Sequence, residues 1–142
     1  MARTILMPVD LNDERSWRLA LEEVLTMLRA KGGVLHVVSV LPDFGMAMVG
    51  GYFKKDFEKE ALARFGQALA DWVGTHVPED IEVHPHVLHG SIYDEILRAA
   101  EKLKADVIVI GSHRPELKDY LLGPNAARVV RHAKQSVYVV RG

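Results

Sequence analysis

Five short hydrophobic runs rich in β-branched residues are spaced along the chain, and each predicts a strand. The run 107–110 is continuously apolar, which is typical of a strand buried on both faces of a parallel sheet. The run 81–88 alternates instead and contains Pro85, which cannot donate a hydrogen bond to a neighbouring strand, so we place it at an edge. The predicted strands are 4–9, 33–40, 81–88, 105–110 and 136–140.

Apolar residues three and four positions apart predict four helices between these runs. The first is capped by Asn12 or Asp13 and ends at 31–33, where two glycines follow a lysine. The second spans about 54–76, the third opens with Ser91 and Asp94 as a capping box, and the fourth begins near Asn125. The helical positions expected in the core are Trp17, Ala20, Val24, Leu25 and Leu28; Phe57, Ala61, Phe65, Ala68 and Trp72; Tyr93, Ile96, Leu97, Ala100 and Leu103; and Ala126, Val129, Val130 and Ala133.

The alternation of strands and helices predicts right-handed βαβ crossovers. We therefore expect one α/β domain over 1–142, an open, doubly wound, five-stranded parallel sheet with helices on both faces. The segment 42–51 interrupts the pattern with three glycines and two methionines. It is longer than an ordinary connection, which leaves two interpretations, a lid or interaction loop and a plain surface excursion.

Composition and charge exclude several function classes. The 142 residues include 18 Lys and Arg against 19 Asp and Glu, a balance that argues against broad electrostatic binding of nucleic acid. The chain has no cysteine, which excludes disulfides, thiolate metal sites and a thiol nucleophile. No apolar run approaches the roughly 20 residues of a membrane span, and the first ten residues do not form a signal peptide. We expect a cytoplasmic protein.

Polar and glycine-containing corners follow the first and fourth strands, at the edge where doubly wound sheets bind ligands. Asp10 ends the first strand, Gly111 and His113 follow the fourth, and Gly123 precedes the last helix. A glycine-bearing loop that leads into a helix exposes backbone N–H groups to phosphate. The pattern alone also fits ordinary turns, with Asp10 as a loop or capping carboxylate and His113 as a solvent-facing histidine.

Other candidate chemistry is sparse. The sequence has neither a Walker-type lysine motif nor a Gly-x-Ser-x-Gly elbow. His84, His86 and His89 raise the question of a metal site, but no further ligand is evident beside them, and on a strand His84 and His86 share one face while His89 points to the other. We favour a solvated edge-strand face, and we predict no metal site and no catalytic residues.

The chain resembles the universal stress protein family over nearly its whole length. The similarity lies in Ile5-Leu-Met-Pro-Val-Asp10, in Val34-Leu-His-Val-Val38, in His89-Gly-Ser-Ile92 and in the blocks 105–113, 121–127 and 139–141. Ser112-His-Arg-Pro115 with Tyr120-Leu-Leu-Gly123 is similar to a subgroup of that family. The resemblance implies the strand order 3-2-1-4-5 and a sensor or regulatory module that binds ATP, alone or with Mg²⁺, with slow hydrolysis at most.

The resemblance also implies roles for individual residues. Asp10 would accept hydrogen bonds from adenine or ribose, Pro8 and Val9 would line the pocket, and Val38 would pack against adenine. Gly111 and His113 would face ribose and phosphates, and Gly123 with the backbone after it would hold the outer phosphates. The full predicted site is Pro8, Val9, Asp10, Val38, Gly111, His113, Arg114, Gly123, Pro124 and Asn125.

The sequence departs from the family motif G-x2-G-x9-G-[S/T] in three ways. Arg114 stands in place of the second glycine, Gly123 lies 12 positions after Gly111 instead of 13, and Pro124 replaces Ser or Thr. Arg114 and Asn125 supply replacement donors for phosphate, whereas Pro124 removes a hydroxyl and an N–H. Two alternatives to an ATP-binding module remain. One is a nucleotide-independent interaction protein of the same fold. The other is a nucleotidyl-transferring or hydrolysing enzyme, against which the absence of an evident set of catalytic residues argues.

The last strand predicts a self-association surface. Val137, Val139 and Val140 would leave an apolar sheet edge that invites pairing unless it is covered. The resemblance implies a homodimer in which two copies of Ser136–Arg141 pair antiparallel, with tetramers as a further assembly and an unidentified protein as regulatory partner. The alternative is an edge guarded by Tyr138 and Arg141.

Overall fold

Strands and helices alternate as the sequence predicts. The structure, a computed structural model, describes residues 3–41, 51–112 and 124–141, and of 51–57 the backbone alone. His113, Arg114, Gly123 and all of the predicted loop except Gly51 lie outside the described residues. The elements are β1 (Arg3–Pro8), α1 (Arg18–Lys31), β2 (Gly33–Leu41), α2 (Gly51–His76), β3 (Val83–His89), α3 (Ile92–Lys102), β4 (Val107–Ser112), α4 (Pro124–His132) and β5 (Ser136–Arg141), with a short 3₁₀ helix at Glu14–Ser16.

The five strands form one parallel sheet in the order β3-β2-β1-β4-β5. This confirms the predicted α/β class, the strand order and the edge position of β3. Chain order reverses beside β1, which pairs with β2 on one side and with β4 on the other. A doubly wound sheet opens a crevice at such a reversal, beyond the carboxyl ends of its strands.

Each face of the sheet carries its own core layer, because successive side chains of a strand point to opposite faces. Met7 enters the layer covered by α1 and α2, and Leu6 enters the layer covered by α3 and α4. Fully or nearly fully buried members of the first layer include Ile5, Val24, Leu35, Val37, Leu69 and Trp72. Those of the second layer include Val38, Ile96, Ile108, Ile110 and Val129.

Two predicted core positions are wrong. Ala68 is exposed, and Leu69 is buried instead, since it lies four residues after Phe65 and three before Trp72 on the side of α2 that meets the sheet. Val130 is 44% exposed, because Ala126 and Val129 are the residues that α4 turns toward β4 and β5.

The predicted caps also differ in detail. The Asp13 carboxylate accepts the Arg15 N–H at 3.1 Å and so caps the 3₁₀ helix, while α1 itself begins after Trp17. Ser91 precedes α3 as predicted, but its side chain makes no capping hydrogen bond. Gly32 ends α1 as expected, with φ at 74° and its N–H donating to Leu28. Among the described residues, no helix has both the length and the apolar character that a bilayer crossing requires.

Candidate functional site

A cavity of about 580 Å³ opens at the carboxyl edge of the sheet, where the chain order reverses. This volume lies within the ordinary range for small-molecule sites. Its described walls come from the ends of β1, β2 and β4, the start of α4, the segment after β1, and single turns of α2 and α3. The lining residues are Pro8, Val9, Asp10, Asn12, Asp13, Ser16, Val38, Ser39, Val40, Leu41, Phe65, Ile92, Ile96, Ile110, Gly111, Ser112, Pro124, Asn125 and Ala126.

The structure brings seven of the ten predicted site residues to this one cavity. They come from four separate parts of the chain and are Pro8, Val9, Asp10, Val38, Gly111, Pro124 and Asn125. The other three, His113, Arg114 and Gly123, lie outside the described residues.

Asp10 stands at the end of β1 with its two carboxylate oxygens in different situations. Oδ1 accepts the N–H of Asn12 at 2.9 Å, which folds the chain into a tight turn. Among the described residues Oδ2 accepts no hydrogen bond, and the side chain is exposed to the cavity. Oδ1 therefore acts as the loop carboxylate that one interpretation of this residue expects, and the ligand contact of Asp10 stays a prediction.

The backbone around Asp10 is held from two directions. Its N–H donates to Ser16 Oγ at 3.0 Å, and the Ser16 hydroxyl donates to the Asp10 carbonyl oxygen at 3.2 Å. On the β2 side, the buried Ser39 hydroxyl donates to the Val9 carbonyl oxygen at 3.0 Å, and the Val9 N–H donates to Val38 at 2.8 Å. These bonds place the Asp10 carboxylate before any ligand arrives, which lowers the entropic cost of binding.

Gly111 has a structural reason to be glycine. A Cβ at this position would overlap the carbonyl oxygen of Ser16 and lie 3.1 Å from its carbonyl carbon. The end of β4 and the 3₁₀ helix are thus in direct backbone contact, and together they form one wall of the cavity. The sequence predicted this glycine as a ligand contact and gave no sign of the packing that also requires it.

The cavity has both charged and apolar residues in its lining. Asp10 and Asp13 are the charged side chains among its described lining residues, and Asp13 pairs with Arg15 at 3.1 Å. The lining also includes the first residues of α4, Pro124 and Asn125, and the N–H groups of a first helical turn lack partners within the helix. The cavity therefore combines carboxylate oxygens, the first residues of a helix and apolar side chains in one lining.

Sequence reasoning missed several lining residues. Ser112 and Leu41 could have been found, since each follows closely on a predicted strand. The strands predicted to end at residues 40 and 110 extend to Leu41 and Ser112 in the structure. Phe65 and Ile92 could not, because they come from helices whose positions over the cavity depend on packing. Phe65 was predicted as core, yet it is half-buried and lines the cavity.

Comparisons with known proteins agree with this architecture. The universal stress protein G of Escherichia coli O157:H7 is 37% identical over 145 residues, which covers 99% of this chain and 100% of that protein. A solved universal stress protein in complex with cAMP superposes with a TM-score of 0.64 at 21% identity, covering 99% of this chain and 97% of that one. The universal stress protein from Archaeoglobus fulgidus in complex with dAMP gives a TM-score of 0.60 at 23% identity, covering 96% of each chain.

At those identities the two solved structures establish similarity of fold. Membership rests on sequence, because the model of the universal stress protein family matches residues 1–141 and the bacterial relative is aligned over its full length. The chain therefore belongs to the universal stress protein family.

Proposed function

We propose that this protein binds ATP in the cavity at the carboxyl edge of its sheet and acts as a dimeric, cytoplasmic sensor or regulatory module with little or no turnover. The observation that carries the proposal is the convergence of seven predicted site residues on one cavity at the reversal of strand order. Support comes from family relatives of the same fold whose solved structures contain cAMP and dAMP, which are both adenine nucleotides.

In this proposal the two sides of the cavity receive the two ends of the nucleotide. Asp10 Oδ2 accepts a hydrogen bond from adenine or ribose, and Pro8, Val9 and Val38 supply the apolar surface against the base. The phosphates, bound alone or with Mg²⁺, meet the first turn of α4, where the helix dipole favours an anion. His113, Arg114 and Gly123 belong to the phosphate end by their similarity to the family motif.

Pro124 is compatible with this arrangement. Proline suits the first position of a helix, because the N–H it lacks would have no partner inside the helix. The loss of that N–H at the phosphate end is offset by Asn125, which lines the cavity and offers both a backbone N–H and a side-chain amide. Arg114 would add a guanidinium, whose fork matches phosphate oxygens.

Replacing Asp10 tests the proposal. We expect Asp10→Ala to weaken ATP binding about ten- to a hundredfold in titration calorimetry, the usual cost of a lost hydrogen bond to a charged group. Asp10→Asn keeps an Oδ1 acceptor for the Asn12 N–H and so separates loss of ligand contact from loss of the loop. Asp80→Ala, an exposed carboxylate between α2 and β3, is the matched control and should bind ATP as the unchanged protein does. Unaltered affinity in Asp10→Ala would refute the assigned role.

A nucleotide-independent interaction protein is the second candidate, and it is favoured by Pro124 together with the absence of the second glycine of the family motif. The two candidates differ in what the purified protein carries. Denaturing the protein and identifying released nucleotide by chromatography and mass spectrometry should yield ATP in near-stoichiometric amount under our proposal. Protein that releases no nucleotide and fails to bind added ATP with Mg²⁺ would support the second candidate.

We further propose that β5 forms the dimer interface, and that the dimer is the form a regulatory partner meets. Within the described sheet β5 pairs with β4 alone, so its outer edge presents unpaired backbone groups. Tyr138 is 38% exposed beside half-buried Val137 and Val139. A second copy of Ser136–Arg141 would satisfy those groups and cover this surface, and pairs of such dimers would give tetramers.

A charge on this edge should produce monomers. We expect Val139→Lys to halve the mass measured by light scattering, since pairing would bury an uncompensated ammonium. Val139 also packs against the layer under α4, so Tyr138→Lys, on an exposed side chain, is the second variant. Ala68→Lys adds the same charge to the exposed side of α2 and should remain dimeric. An unchanged mass in both β5 variants would contradict this interface.

A further inference from the structure

Three histidines meet where β3 pairs with β2, and we call His36, His84 and His86 the histidine cluster. His36 lies directly opposite His84 in the strand register, and His86 lies opposite Val38, two residues further along. The three side chains therefore project from the same face of the sheet, as predicted for His84 and His86. The His36 ring centroid is 5.2 Å from that of His84 and 5.1 Å from that of His86.

One contact in the histidine cluster limits how many protons it can hold. His36 Nδ1 and His86 Nε2 are 2.9 Å apart and part-buried, which is the distance of a hydrogen bond between two ring nitrogens. Such a bond needs one N–H donor and one bare nitrogen acceptor. Two neutral rings meet this condition, and so does one neutral ring with one protonated ring. Two protonated rings do not, because both nitrogens are then donors.

The histidine cluster is not arranged as a metal site. Nitrogens that share a metal direct their lone pairs at a common point, whereas His36 and His86 are joined to each other. His84 Nε2 is 2.8 Å from Glu82 Oε2 and so has its own partner. Within residues 3–41, 51–112 and 124–141, no group of three or more potential ligands could hold a metal ion.

Burial first, and neighbouring groups second, oppose protonation of His36 and His86. Burial lowers the pKa of His36, and His86 and His84 lower it further, while the Glu82 carboxylate acts in the opposite direction. Burial also lowers the pKa of His86, helped by His84 and by the ammonium of Lys102 at the end of α3. Protons are therefore taken up more readily by these histidines in the unfolded chain than in the folded one.

We propose that the histidine cluster makes the pairing of β3 with β2 acid-sensitive, because uptake of the second proton by His36 and His86 breaks their hydrogen bond and sets two positive rings against each other. The folded state then loses stability as the pH falls below the ordinary histidine value of about 6.5, and it keeps that stability above it. Within the described sheet, β3 is an edge strand and pairs with β2 alone.

Loosening of β3 would also affect the cavity, because β2 lines it. Val38, Ser39, Val40 and Leu41 form part of its lining, and these residues pair with β3 from His86 to His89. When β3 loosens at low pH, the part of β2 that lines the cavity loses the strand with which it pairs. The inference is independent of which ligand the cavity takes, and it can be tested without one.

The pH dependence of stability provides the first test. Between pH 7.5 and 5.5 we expect the melting temperature of the unchanged protein to fall by roughly 5 °C, the size of shift that a change of about 1 kcal/mol causes in a small domain. The fall in melting temperature should be less than half as large in His86→Gln and in His36→Gln. It should be about the same in the double variant as in either single variant, because removing one ring already abolishes the hydrogen bond that the two share. His132→Gln, at the exposed end of α4, should behave as the unchanged protein does.

Local opening provides the second test, which does not depend on how the variants fold. Hydrogen exchange followed by nuclear magnetic resonance, corrected for the intrinsic effect of pH, should show faster opening of β3 amides at pH 5.5 while β1 and β4 stay protected. A full acid-induced loss of stability in His86→Gln, or equal protection of β3 at both pH values in the unchanged protein, would overturn the proposal.

Discussion

Replacing Gly111 by alanine is expected to destabilise the protein by about 2–3 kcal/mol and to weaken nucleotide binding together with it. The added Cβ would overlap the Ser16 carbonyl oxygen, which belongs to the backbone and cannot swing aside as a flexible side chain would. Either β4 or the 3₁₀ helix must shift, and overpacking of this kind typically costs 1–3 kcal/mol. The shift would displace Ser16, whose hydroxyl holds both backbone groups of Asp10.

Urea unfolding would measure this loss, and Gly74→Ala on α2 is its control. Apart from its chain neighbours and the backbone of its own helical turns, no atom of the described residues lies within 4 Å of a Cβ built at Gly74. The same chemical change there should stabilise the protein by about 0.5–1 kcal/mol, because alanine favours a helix over glycine. A Gly111→Ala protein as stable as the unchanged one would show that β4 and the 3₁₀ helix are not in the close contact described above.

Replacing Leu69 by alanine is expected to destabilise the protein by about 2–5 kcal/mol, the range measured for leucine truncations in protein cores. Leu69 is fully buried in the layer between the sheet and α1 and α2, close in sequence to Trp72 of the same layer. Truncation would leave a cavity there, because a close-packed layer relaxes only in part. Chemical denaturation measures the loss.

The neighbouring residue supplies the control for Leu69. Ala68 is exposed on the same turn of α2, so Ala68→Ser should change stability by no more than about 0.5 kcal/mol. A large effect at Ala68 with a small one at Leu69 would mean that α2 is rotated so that Ala68 faces the sheet, as the spacing of its apolar residues first predicted.

The wrong prediction at Ala68 shows that hydrophobic spacing alone does not determine which side of a helix is buried. Ala61, Phe65, Ala68 and Trp72 satisfy a spacing of three and four, and so do Phe65, Leu69 and Trp72. A helix of 3.6 residues per turn allows both choices, and the difference between them is a rotation of about 100°. Packing against the sheet decides between them, because Leu69 buries a larger apolar side chain than Ala68.

The residues of the candidate site likewise include some that the sequence predicts and some that only helix packing reveals. Asp10, Gly111 and Asn125 could be predicted from strand ends and from motif similarity, because these are properties of short segments. Phe65 could not, since it reaches the cavity only through the position of α2 over the sheet. His36 was missed for the same reason, because nothing near it in sequence indicates that β3 brings His84 and His86 beside it.

The sequence by itself determined the alternation of strands and helices, the edge position of β3, the family and the residues at the ends of β1 and β4. These depend on periodicity, on proline chemistry and on local motifs, which short stretches of chain carry. The tertiary structure alone decided which side of α2 is buried, that Gly111 makes room for the Ser16 carbonyl, and that His36 shares a hydrogen bond with His86. Contacts between residues far apart in sequence arise only when strand register and helix packing are set together.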